Sequence, residues 1–246
     1  MEVHQHTHTP RKKWTHYFWE FIMLFLAVFC GFLAENLREH TLEHKREKQY
    51  IASLVRDVEL DVASLKLSQT IKKGYCNLFD SLVTLLRKNN PGSRNDIYYY
   101  ARHLGRITEF KYHNRTIQEL KNTGSLRLIR DKKVADSITV YDNEIVQVVL
   151  NQQQIEHLLR IDILSNQVGR IFNGYTWNDM VDELGRISRI SNNPELVTRD
   201  QNLINDFIVH VVHWKTSYRL TNGEIEAAIK AAGNLIAFLK KEYHLE

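Results

Sequence analysis

The chain has 246 residues, 43% of them hydrophobic and 25% charged, with a formal net charge of +4. Such proportions exclude a disordered polymer, and so mild a positive balance does not call for a nucleic-acid partner. With 3 Pro and 10 Gly to interrupt it, and two cysteines too far apart in character to form a framework, the sequence points to a helical protein without disulfides.

The first 13 residues read as a short basic tail. His4, His6 and His8 alternate along it and offer at most weak chelation, and Arg11, Lys12 and Lys13 close it. Residues 14–37 read as a transmembrane helix. Trp14, Tyr17, Phe18 and Trp19 supply the aromatic belt of an interface, and residues 21–34 carry no charge. That uncharged run spans about 21 Å, and the aromatic entry and the exit at Leu37 extend it to bilayer length. Ten large apolar residues favour insertion by roughly 3–6 kcal/mol in sum, which two carboxylates at mid-membrane would cancel. Glu20 and Glu35 lie about 22 Å apart along the axis, however, so each reaches a different interface. A cleaved signal peptide fits less well. Cuts after Ala34, Gly31 or Ala27 place Phe32, Phe29 or Phe25 where a small side chain is needed. A lipoprotein reading of Cys30 fails on Phe29 for the same reason. The short tail favours an N-terminus inside and the remainder of the chain exported, although basic residues on the two flanks are nearly balanced.

Wound at about 100° per residue, this segment has two faces. Ala27, Gly31, Ala34 and Glu35 fall within about 60° of Glu20, whereas Phe25, Phe29, Phe32 and Leu33 fall opposite. Ala27 and Gly31 form a small-xxx-small pair, and acids facing lipid are costly, so the stripe Glu20, Ala27, Gly31, Ala34 and Glu35 predicts a homo-oligomer.

Residues 38–246 predict a helical domain. A juxtamembrane helix over about 38–71 has Ile51, Leu54, Val55, Val58, Val62 and Leu65 on one face. A second helix over 75–88 ends before Pro91-Gly92, and the Tyr98-Tyr99-Tyr100 cluster sits on a short helix with its rings pointing different ways. Another short helix stops at Asn122-Thr123-Gly124. A long helix over about 131–172 carries Val134, Ile138, Tyr141, Ile145, Val148, Gln152, Ile155 and Leu159 as a coiled-coil-like seam. In it Gln152 either fixes register or faces water. After a loop at Asn192-Asn193-Pro194, two helices over about 198–220 and 223–243 complete the chain, the last with Ile225, Ile229, Ala232, Ile236 and Leu239 on one side. The fold class is all-α: one transmembrane helix and a helical bundle with long, partly coiled-coil-like helices.

The run Glu20-Phe-Ile-Met-Leu-Phe-Leu-Ala-Val-Phe-Cys-Gly-Phe-Leu-Ala-Glu-Asn36, with Arg38-Glu39-His40 and Glu43-His44-Lys45-Arg46-Glu47-Lys48 after it, resembles a family of single-pass bacterial membrane proteins of uncharacterised activity. Leu120-Lys-Asn-Thr-Gly-Ser-Leu-Arg-Leu-Ile129 is similar to that family's Leu-x-x-Ser-Gly-x-Leu segment, with Thr123 in place of Ser. The resemblance implies a helical extracytoplasmic domain in a Gram-negative envelope, held in the inner membrane. It implies no activity.

Other motifs point elsewhere. His40, Glu43 and His44 spell H-x-x-E-H, an inverted zinc-protease pattern, but stand among charges with no third ligand and read better as an ion-paired helix. His210 and His213 are half a metal site at most, and read as packing histidines. Arg127, Arg130, Lys132 and Lys133 read as a solvated helix start rather than a lipid-headgroup site. With no phosphate loop, nucleophile–base pair or cofactor motif, an enzyme is not expected. The expected function is that of a membrane-anchored interaction protein, which self-associates and presents its domain to an envelope partner. One alternative is a pore with rings of Glu20 and Glu35, and another is a ligand-sensing bundle that signals through a partner.

Overall fold

A computed structural model describes residues 14–88 and 93–245; the tail with His4, His6, His8, Arg11, Lys12 and Lys13, and the Pro91-Gly92 turn, lie outside the described residues. The protein is all-α, without a strand among the described residues. Its elements in chain order are α1 (Trp14–Lys88), α2 (Arg94–Arg102), α3 (Arg115–Asn122), α4 (Lys132–Leu150), α5 (His157–Asp162), α6 (Val168–Ile171), α7 (Gly174–Asp179) and α8 (Gln201–Tyr243). π-Helical segments Asn151–Glu156 and Ile163–Gln167 join α4 to α5 and α5 to α6, so residues 132–171 form one irregular long helix. By contacts the chain divides into two units, Met1–Gln49 and Tyr50–Glu246.

Several helices expected as pairs are single. No break separates residues 38–71 from 75–88: Gly74 lies on an exposed position within α1, and Lys72 and Cys76 are buried on either side of it. Likewise the helices expected over 198–220 and 223–243 are one, because Thr221, Asn222 and Ile225 are all buried across the expected junction, leaving only Gly223 exposed. A mid-helix glycine costs about 1 kcal/mol relative to alanine, and burial on both sides outweighs it. Gly124, by contrast, does stop a helix: it takes φ +67° just after α3, a left-handed conformation that suits glycine.

In the second unit, residues 50–88 of α1, the long irregular helix and α8 stack against one another. Ile51, Leu54 and Val58 pack with Ile138, Ile145 and Val148 and with Ile225, Ala232 and Leu239 in one apolar cluster. Phe79, Leu82 and Leu86 pack with Ile163, Ile171 and Phe172 and with Phe207, Val211 and Trp214 in a second. This order makes the α1 portion parallel to the long helix and α8 antiparallel to both. Between the clusters all three helices bury polar side chains: Ser68 and Lys72 on α1, Gln152 and Glu156 on the long helix, Ser217, Thr221 and Asn222 on α8. A polar layer divides the core.

Residues 106–114 cross this bundle without regular structure. Buried backbone N–H groups need acceptors, and here side chains provide them. Phe110 N–H donates to Gln152 Oε1 at 2.6 Å, His113 N–H to Asp61 Oδ1 at 2.8 Å, and Thr116 N–H, just beyond, to Asp57 Oδ2 at 3.3 Å.

Candidate functional site

Within the first unit, the segment expected to cross a membrane is helical throughout and wholly unburied over its most apolar eighteen residues. Phe21, Phe25 and Phe29 stack at successive one-turn spacings, with ring centroids 6.3 and 5.9 Å apart. Phe25 and Phe29, from the bulky face read in the sequence, thus continue a stacked ridge that begins at Phe21. Glu20, Ala27, Gly31, Ala34 and Glu35 are all exposed, and a Cβ added at Gly31 would meet nothing within 4 Å. Both acids have partners on their own helix: His16 Nε2 lies 3.0 Å from Glu20 Oε1, and Arg38 donates to both oxygens of Glu35.

The H-x-x-E-H residues do not converge. His40 lies 3.7 Å from Glu43, whereas His44 faces Glu47 at 3.3 Å, so each ring has its own carboxylate one turn on. Among the described residues no group of three His, Cys, Asp or Glu is arranged to hold a metal ion. His210 and His213 also part company. His210 is bound by Asp162 at 2.7 Å and lies 3.2 Å from Gln167, while His213 is exposed. The basic residues Arg127, Arg130, Lys132 and Lys133 are exposed at the start of α4, whose N-terminus is capped by Asp131.

Two buried polar centres in the second unit were not anticipated. In the first, Asp61 accepts from Tyr141 OH at 2.6 Å and from both the backbone and ring nitrogens of His113. Burial raises the Asp61 pKa even so, and burial together with the Asp61 charge holds the Tyr141 phenol well above its ordinary value. The second centre is the polar layer. Lys72 Nζ donates to Glu156 Oε2 at 2.5 Å and sits 4.4 Å over the Tyr218 ring, while Thr221 Oγ1 donates to Glu156 Oε1 at 2.9 Å. Burial lowers the Lys72 pKa, against the pull of Glu156, and burial raises that of the nearby Cys76 thiol. A thiol so held is a poor nucleophile.

The seam read over residues 134–159 holds only as far as Gln152. Beyond it the π-helical turn widens the helix and rephases its faces. Glu156 turns into the core; Ile155, expected there, is 48% exposed, and Leu159 is half-buried. The displaced Ile155 and Leu159 join Asn151 as one wall of a cleft of about 580 Å³. Its other wall comes from one face of α8, principally His213, Thr216, Leu220 and Glu224, with Ser217 and Thr221 between. At one end the Asn151 amide donates to both oxygens of Glu224 at 2.5 Å. Thr221 belongs to both places: its side chain lines the cleft, and its hydroxyl binds the buried Glu156.

No protein family, curated protein or solved structure matches this chain.

Proposed function

We propose that the protein is a single-pass, membrane-anchored interaction protein of a bacterial envelope, with the lipid bilayer as one partner and copies of itself as another. The observation that carries this reading is the apolar helical segment near the N-terminus, none of which is buried by the rest of the chain. A helix that is hydrophobic on all sides finds its stable surroundings in lipid rather than water. Residues 14–37 span the inner membrane in this reading, with the body from Tyr50 onward in the periplasm. Open space around Gly31 supports close approach of a second helix along the small-residue stripe. Kinship with single-pass envelope proteins rests on the resemblance of residues 20–48.

Alkaline carbonate extraction tests the anchor: the full chain stays in the membrane pellet. Its release to the supernatant would end the proposal. Self-association is tested in mild detergent, where Gly31→Leu lowers the oligomeric state; an unchanged state would leave the stripe without a role.

One observation favours a second, compatible reading. A cleft of about 580 Å³, within the range of small-molecule sites, opens where the long helix departs from α-helical geometry. Its lining touches the buried Lys72–Glu156 pair through Thr221. On this reading the body senses a ligand, and occupancy alters the polar layer that joins the three helices.

A further inference from the structure

We infer that this cleft binds a small amphiphilic cation: an ammonium group on an aliphatic body, with its charge at Glu224. The inference rests on the ligand-binding reading of the cleft and gives that ligand its chemistry.

Ile155, Leu159 and Leu220 make the middle of the cleft aliphatic. Leu220 is 66% exposed and Ile155 48% exposed, so both present apolar surface that a ligand would cover. Neither Lys nor Arg lines the cleft, and Glu224 is its single carboxylate. Among the described residues Glu224 has no cationic partner; its hydrogen-bond donor is the Asn151 amide, a neutral group. The carboxylate is half-buried, so its charge is neither fully hydrated nor neutralised. An ammonium placed there makes charge-assisted bonds to the Glu224 oxygens, each of which keeps a lone pair beyond the one the Asn151 amide uses. A carboxylate or phosphate ligand would face repulsion from Glu224 with no compensating cation. A neutral alcohol would fill the apolar stretch but leave the charge unanswered. His213 stands eleven residues from Glu224 along α8, about 16 Å away, so the aliphatic stretch runs between a charged end and a wet one.

Lining groups on both sides are held in place before a ligand arrives. Asn151 is fixed by Glu224, Thr216 Oγ1 donates to Val212 O at 2.9 Å, and Thr221 is anchored to Glu156 and to Ser217 O. Such preorganisation reduces the cost of binding.

The test is calorimetry on the full chain in nanodiscs, with heats from empty nanodiscs subtracted, using hexylammonium, hexanol and hexanoate as probes of equal length. Hexylammonium binds at least tenfold tighter than hexanol, and hexanoate binds weakest. Glu224→Gln removes the preference for the ammonium and leaves hexanol unchanged, which shows the cleft still folded. Gly223→Leu fills the cleft from a lining position where an added Cβ meets nothing within 4 Å, and weakens both probes at least tenfold. Equal binding of hexylammonium and hexanol, or a Glu224→Gln variant that keeps the preference, overturns the cation assignment while the cleft remains a ligand site. Failure of all three probes to bind overturns the ligand reading itself.

Discussion

Residues 21–33 and residues 76–86 lie on the same helix and are both rich in apolar side chains, yet they meet opposite surroundings. In the first stretch Phe25, Phe29 and Phe32 are 56%, 45% and 66% exposed; in the second Phe79 and Leu82 are completely buried. The second stretch has a face. Cys76, Phe79, Leu82, Val83 and Leu86 recur at three- and four-residue steps, Leu78 and Leu85 flank that face half-buried, and Asn77, Asp80, Ser81 and Thr84 occupy the remaining positions. Neighbouring helices can cover a stripe of that width. The first stretch is apolar on every side, so no single neighbouring helix could cover it; under the proposed anchor reading a bilayer covers it all round. A helix thus signals its solvent by the breadth of its apolar surface as much as by its hydrophobicity.

The strongest way to break this contrast is to give the first stretch a polar face. Phe25→Lys with Phe29→Lys adds roughly 5–7 kcal/mol to the cost of insertion, more than the segment's estimated gain. Carbonate should then release the chain to the supernatant; continued retention in the pellet would refute the lipid assignment. Next in size is the charge buried in the body. Lys72→Met strands Glu156 and should cost about 3–5 kcal/mol in urea unfolding, while the double variant Lys72→Met/Glu156→Leu recovers most of it. Should the single variant prove harmless, the polar layer is not a paired centre. Gln152→Leu leaves the Phe110 N–H without its acceptor and should lose about 1–3 kcal/mol, read by the same titration.

The smallest effect is one of pH. Burial raises the Asp61 pKa in the folded chain above its unfolded value, so the folded state binds that proton more tightly. The wild type should gain stability relative to Asp61→Asn as pH falls through the raised value. That gain is complete below the unfolded value of about 3.9 and absent at higher pH. Thermal melts of both proteins at neutral and mildly acidic pH give the sign; a wild type that loses stability relative to Asp61→Asn on acidification contradicts it.

Much of the body's plan was legible in periodicity. The face beginning Ile51, Leu54, Val58 and Leu65 is buried, as are Val134, Ile138, Tyr141, Ile145 and Val148. The same three- and four-residue steps run through Asp61, Ser68 and Lys72, and a polar residue on an apolar seam was the available sign of a buried polar centre. What no local pattern held was their partners. Glu156 lies 84 residues from Lys72 and His113 lies 52 from Asp61. The helix breaks expected near Gly74 and Gly223 failed for a related reason. Propensity disfavours glycine by about 1 kcal/mol, but each glycine here occupies an exposed position beside residues buried in a shared core. The cleft was missed because it depends on a π-helical turn, which shifts Ile155 out of the core and Glu156 into it.

By itself the sequence determined the helical class, the apolar N-terminal segment with its bulky face, and the inward faces of the long helices. Those properties follow from residues a few positions apart, whose spacing sets which side of a helix they share. Tertiary structure alone decided that Lys72 meets Glu156, that residues 106–114 hang their backbone on Asp61 and Gln152, and that Asn151 and Glu224 close one end of a cleft. Each of these joins distant parts of the chain, and the free energy of taking a polar group out of water is fixed by what it meets there.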